Sequence, residues 1–159
     1  MNKTLVALCA GVLLTGCVTT GSGSGQGAQQ AVSSRPPESE QQQRAKVHTE
    51  LGSLYMLDGR SAIALEEARI ALSVDPDYAP AYNLLGLTHM VLNEPRLAED
   101  NFERALRLAP GDPEINNNFG WFLCQSGREQ QSLSYFETAS KSQLYSAPTK
   151  PLTNAGICS

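Results

Sequence analysis

The chain has little with which to do chemistry. It holds two histidines, His48 and His89, one tryptophan and 6% aromatic residues. No Ser-His-Asp order, no paired carboxylates and no zinc-like cysteine spacing can be read along it. No Gly-Lys-Ser/Thr follows its Gly/Ser run at 21–27, so that run is not a phosphate-cradling loop. Basic residues are scattered singly among an excess of acidic ones, with a net charge of −4, so no basic footprint for nucleic acid exists. A single uncharged apolar run occurs, at 5–14. Ten helical residues rise about 15 Å, half of what a hydrocarbon core of about 30 Å requires. These absences argue against catalysis, against nucleic acid and small-molecule substrates, and against a membrane span. No cofactor is implied.

The N-terminus is a targeting segment. Lys3 precedes the apolar run, the pattern of a secretory signal peptide over residues 1–16. The run closes in Leu14-Thr15-Gly16-Cys17, which resembles a bacterial lipobox. Small residues before a thiol suit a peptidase, and the thiol can carry a diacylglycerol. Cys17 is therefore the expected lipidation site and first mature residue. More than one acyl chain gives stable attachment at about 0.8 kcal/mol per buried CH₂. Loss of Lys3 takes the net charge from −4 to −5. Val18, in place of aspartate, resembles the sorting signal of outer-membrane lipoproteins, so the expected location is the outer membrane, facing the periplasm. Residues 17–44 hold Gly, Ser, Gln and Pro36-Pro37 without apolar periodicity, and read as a flexible tether.

From residue 45 the chain repeats every 34 residues. Gly52, Gly86 and Gly120 share that spacing, as do Ala71, Ala105 and Ala139, and Pro76 and Pro110. This is the tetratricopeptide pattern. Each unit is a helix pair that cannot bury its apolar stripe alone. Glycine in the first helix and alanine in the second let the two approach closely. The expected fold is all-α, a superhelix of stacked antiparallel helix pairs. Helices are predicted at 45–58 and 61–74, 79–92 and 95–108, and 113–126 and 129–142. Repeats then span 45–78, 79–112 and 113–148, and an incomplete fourth, 149–159, completes a repeat domain of 45–159. Gly59, Asn93 and Gly127 are the expected stops of the first helices. Asp77 and Asp112 are the expected caps of those that follow. The fourth unit starts a first helix with Gly156 and then breaks off. It reads as a truncated array with an unpartnered apolar stripe.

First helices line the concave side of such a stack. The candidate partner-binding groove is Asn83, Leu87, Met90 and Val91 from the second repeat, with Asn117 and Trp121 from the third. Lys46, Thr49, Ser53, Met56 and Leu57 precede them on the first, and Glu114, Cys124 and Gln125 complete the third. An apolar groove edged by Asn suits a peptide, and Trp is a frequent binding anchor. Leu87 and Met90 fit packing against neighbouring first helices equally well. Phe119 and Phe122 read as core, and Asn116 and Asn118 as capping or solvated residues. Cys124 and Cys158 fall on neighbouring first helices. A disulfide and a pair of buried thiols are both open there, and mass with and without reductant separates them.

The segment Asn116-Asn117-Asn118-Phe119-Gly120-Trp121-Phe122-Leu123-Cys124, with Asn93-Glu94-Pro95 and Asn154-Ala155-Gly156-Ile157-Cys158, resembles the type IV pilus biogenesis lipoproteins, the pilotins. With the lipobox the likeness covers nearly the whole chain. It implies a longer array of about six repeats and a role in bringing the pilus secretin to the outer membrane and assembling its ring. The implied partners are the secretin or a peptide segment of it, and lipid through acylated Cys17. It also implies that Cys124 and Cys158 are bridged. The alternative is a generic periplasmic repeat lipoprotein that scaffolds another envelope assembly complex. A third reading is an accessory subunit of an enzyme.

Overall fold

Ser39 begins the ordered description with a reciprocal cap. Its Oγ accepts the Gln42 N–H at 3.1 Å, and Gln42 Oε1 accepts the Ser39 N–H at 3.1 Å. Two orphan donors of a helix start are thereby satisfied. Helix α1 thus runs Glu40–Leu57, and residues 40–44 are its first turn rather than the end of a tether. The computed structural model describes residues 39–142 and 149–158. The expected signal segment 1–16, Cys17 and the tether up to residue 38 lie outside the described residues.

Six more helices follow: α2 Ser61–Val74, α3 Ala79–Val91, α4 Pro95–Leu108, α5 Pro113–Gln125, α6 Glu129–Ser140 and α7 Thr149–Cys158. Among the described residues there is no strand, and no helix is long and apolar enough to cross a membrane. Helices α1/α2, α3/α4 and α5/α6 form antiparallel pairs, and α1, α3, α5 and α7 pack in succession as the first helices of consecutive units. This is the all-α repeat superhelix that the 34-residue spacing predicts.

The pairs close by one device used three times. Gly59, Asn93 and Gly127 adopt φ of 74°, 58° and 72°. Only a left-handed residue lets the chain turn back while the next N–H reaches a carbonyl in the last turn. Arg60, Glu94 and Arg128 donate to Tyr55, His89 and Leu123 at 2.8, 2.9 and 2.9 Å. These are Schellman closures, which satisfy carbonyls a helix end would otherwise orphan.

Between pairs, Asp112 caps α5 by accepting the N–H groups of Glu114 and Ile115, both at 2.9 Å. Asp77 does not cap α3. That helix begins at Ala79 behind an N-cap Tyr78 that makes no side-chain cap. Asp77 is one residue too early and instead accepts from Arg104 of the next pair at 3.0 Å. The repeats are laced further by Arg128, whose Nη1 meets Glu99 Oε1 at 2.6 Å. On the surface of α6, Lys141 sits 2.8 Å from Glu137. Its hydrogen bond and charge hold the Glu137 carboxyl below the usual range.

Close approach within each pair depends on the glycines. A Cβ on Gly86 would lie 2.8 Å from the Phe102 ring, and one on Gly120 2.8 Å from the Phe136 ring. On Gly52 it would lie 3.1 Å from Glu67 Cβ and 3.2 Å from the Ala64 carbonyl oxygen of α2, and 2.7 Å from Leu84 Cδ2 of α3 in the next pair. The second helices answer with small or aromatic residues at fixed offsets: Ala64, Ala68 and Ala71; Ala98, Phe102 and Ala105; Ser132, Phe136 and Ala139, all buried. Phe102 packs on Phe119 and Phe122 with centroids 5.8 and 5.6 Å apart. Tyr135 meets Phe119 edge-on at 4.9 Å. Burying such side chains contributes about 1.5–3 kcal/mol each.

Candidate functional site: a groove between first helices

Helices α1 and α3 diverge enough to leave a groove of about 480 Å³ on the first-helix side. Its apolar lining is Leu54 from α1, Tyr78 and Pro80 at the start of α3, and Leu84 and Leu87 further along. Lys46, Thr49, Glu50 and Ser53 supply one polar wall, Asn83 the opposite one, and Glu114 of α5 an end. The Thr49 and Ser53 hydroxyls are turned inward to the Ala45 and Thr49 carbonyls, at 2.8 and 2.9 Å. Their donor capacity is thus spent within α1, and Lys46 and Glu50 carry the polarity of that wall. A cleft of this size, with a few polar groups at its edges, has the composition of a peptide-binding surface.

The predicted groove residues divide. Asn83 and Leu87 line it, and so do Lys46, Thr49, Ser53 and Glu114. Met90 does not. It is half-buried against the Phe102 cluster and lines a second cavity of about 490 Å³ at the rim, with Asn93, Pro95, Phe122, Gln125 and Ser126. Val91 ends α3 outside the groove and is 63% exposed. Trp121 is half-buried on α5 and does not reach the groove lining. Asn117 is a correction: it is 1% exposed and enclosed between α5 and α7. Glu50, Leu54, Tyr78, Pro80 and Leu84 were not anticipated. Their apolar or charged side chains carry no motif, and only the spacing of α1 from α3 reveals them.

Asn117 belongs to a row of side-chain amides that crosses three helices. Asn154 Nδ2 on α7 donates to Asn117 Oδ1 at 2.9 Å. Asn117 Nδ2 donates to Asn118 Oδ1, and Asn118 Nδ2 to Asn83 Oδ1, both at 3.3 Å. Asn83, Asn117 and Asn118 are all buried. Desolvated amides are costly unless paired, and here each pairs with the next. Asn116 is separate: its Nδ2 bonds the Pro110 and Asp112 carbonyls at 2.9 and 2.7 Å and fixes the turn into α5.

Cys124 and Cys158 are joined in a disulfide, with Cα atoms 5.7 Å apart, which ties α7 to α5. The two histidines are tied to carboxylates. His48 Nδ1 lies 2.7 Å from Glu67 Oε2, bridging α1 and α2, and His89 Nδ1 lies 2.6 Å from Glu94 Oε2 at the α3–α4 turn. Both pairs brace a helix pair. Among the described residues no group of three or more His, Cys, Asp or Glu is placed to hold a metal ion.

A stack of helix pairs with small residues at the crossings and an open first-helix face defines a repeat scaffold. The tetratricopeptide repeat family matches over residues 49–113 and 83–145, and the chain belongs to it. Along all 159 residues it is 30% identical to the type IV pilus assembly protein PilF of Pseudomonas aeruginosa, covering 100% of this chain and 59% of that protein. The solved structure of PilW, a widely conserved type IV pilus biogenesis factor, is 32% identical with a TM-score of 0.68. It covers 72% of this chain and 52% of PilW. That of Pseudomonas aeruginosa PilF is 26% identical with a TM-score of 0.73, covering 76% of this chain and 54% of PilF. The chain is thus related, at modest identity, to type IV pilus assembly proteins, and spans between half and three-fifths of their length.

Proposed function

We propose that this chain is a non-enzymatic protein-binding module of the outer membrane, anchored by lipid on Cys17 and facing the periplasm. Its task is to help the type IV pilus secretin reach that membrane and assemble. The observation that carries the reading is the relationship to PilF along the whole of this chain, over 59% of PilF, in a chain whose α1–α3 groove is open with an apolar floor and polar edges. Asn83 supplies a polar edge, and Leu87 and Leu84 supply apolar floor. The occupant is a segment of the secretin.

The test is recovery of an epitope-tagged secretin from solubilised outer membranes, together with the yield of its heat-resistant multimer. Wild-type chain is expected to bring the secretin down. Leu87→Asp places a charge in the groove and is expected to cut recovery roughly tenfold, about 1.4 kcal/mol. Cys17→Ser is expected to move the protein to the soluble periplasmic fraction. Secretin rings that form normally without this protein, or recovery unaltered by Leu87→Asp, would overturn the proposal.

A further inference from the structure

The groove over α3 carries a charge pattern in addition to its apolar floor. Glu50 enters the lining from α1 and Glu114 from the first turn of α5, so the two carboxylates flank α3, which packs between those helices. Both side chains are exposed, and among the described residues neither carboxylate has an ion pair or a hydrogen bond. Lys46, the one cation among the described lining residues, is already engaged within the chain. A cleft walled by one sign of charge over an apolar floor concentrates the opposite sign. Asn83 supplies an independent observation. It is 8% exposed, its Oδ1 accepts from Asn118 Nδ2 at 3.3 Å, and its Nδ2 donates to no described residue. No fully buried side-chain nitrogen or oxygen among the described residues lacks a partner, so that Nδ2 opens onto the groove it lines. A side chain enclosed to this degree, with a donor left at the cleft, is set for an acceptor that arrives with a ligand.

We propose, resting on the groove's role as a peptide site, that the segment it takes is cationic as well as apolar: an extended stretch whose apolar residues are accompanied by lysine or arginine. Apolar side chains of the segment lie on Leu84 and Leu87. The stems of its basic residues cross the same floor and carry their charged heads to Glu50 and Glu114. One of its carbonyls accepts from Asn83 Nδ2. An acidic segment of equal apolar content meets two carboxylates and is turned away, which is selection by repulsion as much as by attraction. Charges at an exposed rim act chiefly on the rate of encounter, and their effect falls as salt rises.

Two fluorescent peptides of leucine and alanine, one with lysine at either end and one with glutamate in the same places, are the probes. Titrated against the full chain and followed by anisotropy, the lysine peptide is expected to bind roughly tenfold more tightly than the glutamate peptide, with the gap closing at high salt. The double variant Glu50→Lys/Glu114→Lys is expected to reverse the order. Its gain of the glutamate peptide would show that the fold is intact. Equal binding of both peptides by the wild-type chain, or an order that the double variant leaves unchanged, would overturn the proposal. If Leu87→Asp then loses both peptides alike, the groove remains a peptide site and only the charge selection falls. Failure of either peptide to bind would overturn both. Self-association of the wild-type chain in sedimentation equilibrium that the double variant abolishes would overturn the proposal in favour of a second copy.

Discussion

Replacing Gly86 by alanine sets two effects of known sign against each other. Alanine favours a helix interior by about 1 kcal/mol over glycine, so propensity alone predicts a stabler chain. The added Cβ, however, would lie 2.8, 2.8 and 2.9 Å from three atoms of the Phe102 ring, inside van der Waals contact. The ring has nowhere to go. It is 0% exposed and held between Phe119 and Phe122 at 5.8 and 5.6 Å. Overpacking of a filled core costs about 1–3 kcal/mol, and a rigid aromatic obstacle puts this site at the upper end. The net expectation is a loss of about 1–2 kcal/mol. Gly156→Ala is the control, since nothing opposes its Cβ. Only the propensity gain remains there, about 0.5–1 kcal/mol. Urea denaturation followed by circular dichroism at constant m-value reads the first. Amide exchange in α7 reads the second, where protection is expected to rise roughly two- to fivefold. If Gly86→Ala is as stable as the parent, the glycine spacing does not report close helix approach and the packing argument fails.

Three further outcomes follow from contacts described above. Cys158→Ser, like reduction of the parent, is expected to cost about 2–4 kcal/mol, and a denaturation curve insensitive to reductant would refute the structural role of the bridge. Asp112→Ala removes the acceptor of two N–H groups of α5 and is expected to lower stability by about 1 kcal/mol, whereas Asp112→Asn should lose far less. Asn154→Ala leaves the buried Asn117 Oδ1 without its donor and is expected to cost about 1–3 kcal/mol, visible as faster exchange across α7. Unchanged exchange there would show that water replaces the lost amide.

Much of the scaffold was legible because it obeys local rules. The 34-residue recurrence of glycine and alanine, with Gly59, Asn93 and Gly127 as stops, locates every described helix pair. Where local rules failed, a competing local bond or a lateral contact had decided the matter. Ser39 and Gln42 start α1 early inside a glutamine-rich stretch that composition assigns to a tether. Asp77 is drawn off to Arg104, a residue on the neighbouring pair. The groove was only partly legible. Asn83 and Asn117 occupy equivalent positions one repeat apart, yet one lines an open groove and the other is enclosed, because α7 reaches Asn117. No pattern within one helix encodes how far apart its neighbours will sit, and that distance decides whether a side chain borders a cleft or is closed over.

The amide row has a polarity. Every link from α7 to α3 runs nitrogen to oxygen in the same sense, so the dipoles of Asn154, Asn117, Asn118 and Asn83 add along the row. Aligned donors polarise one another in a low-dielectric interior. The terminal member, Asn83, spends its oxygen on the row and leaves its nitrogen as the spare hydrogen-bonding end beside the cleft. On the reading proposed above, that nitrogen would donate to a carbonyl of the bound segment.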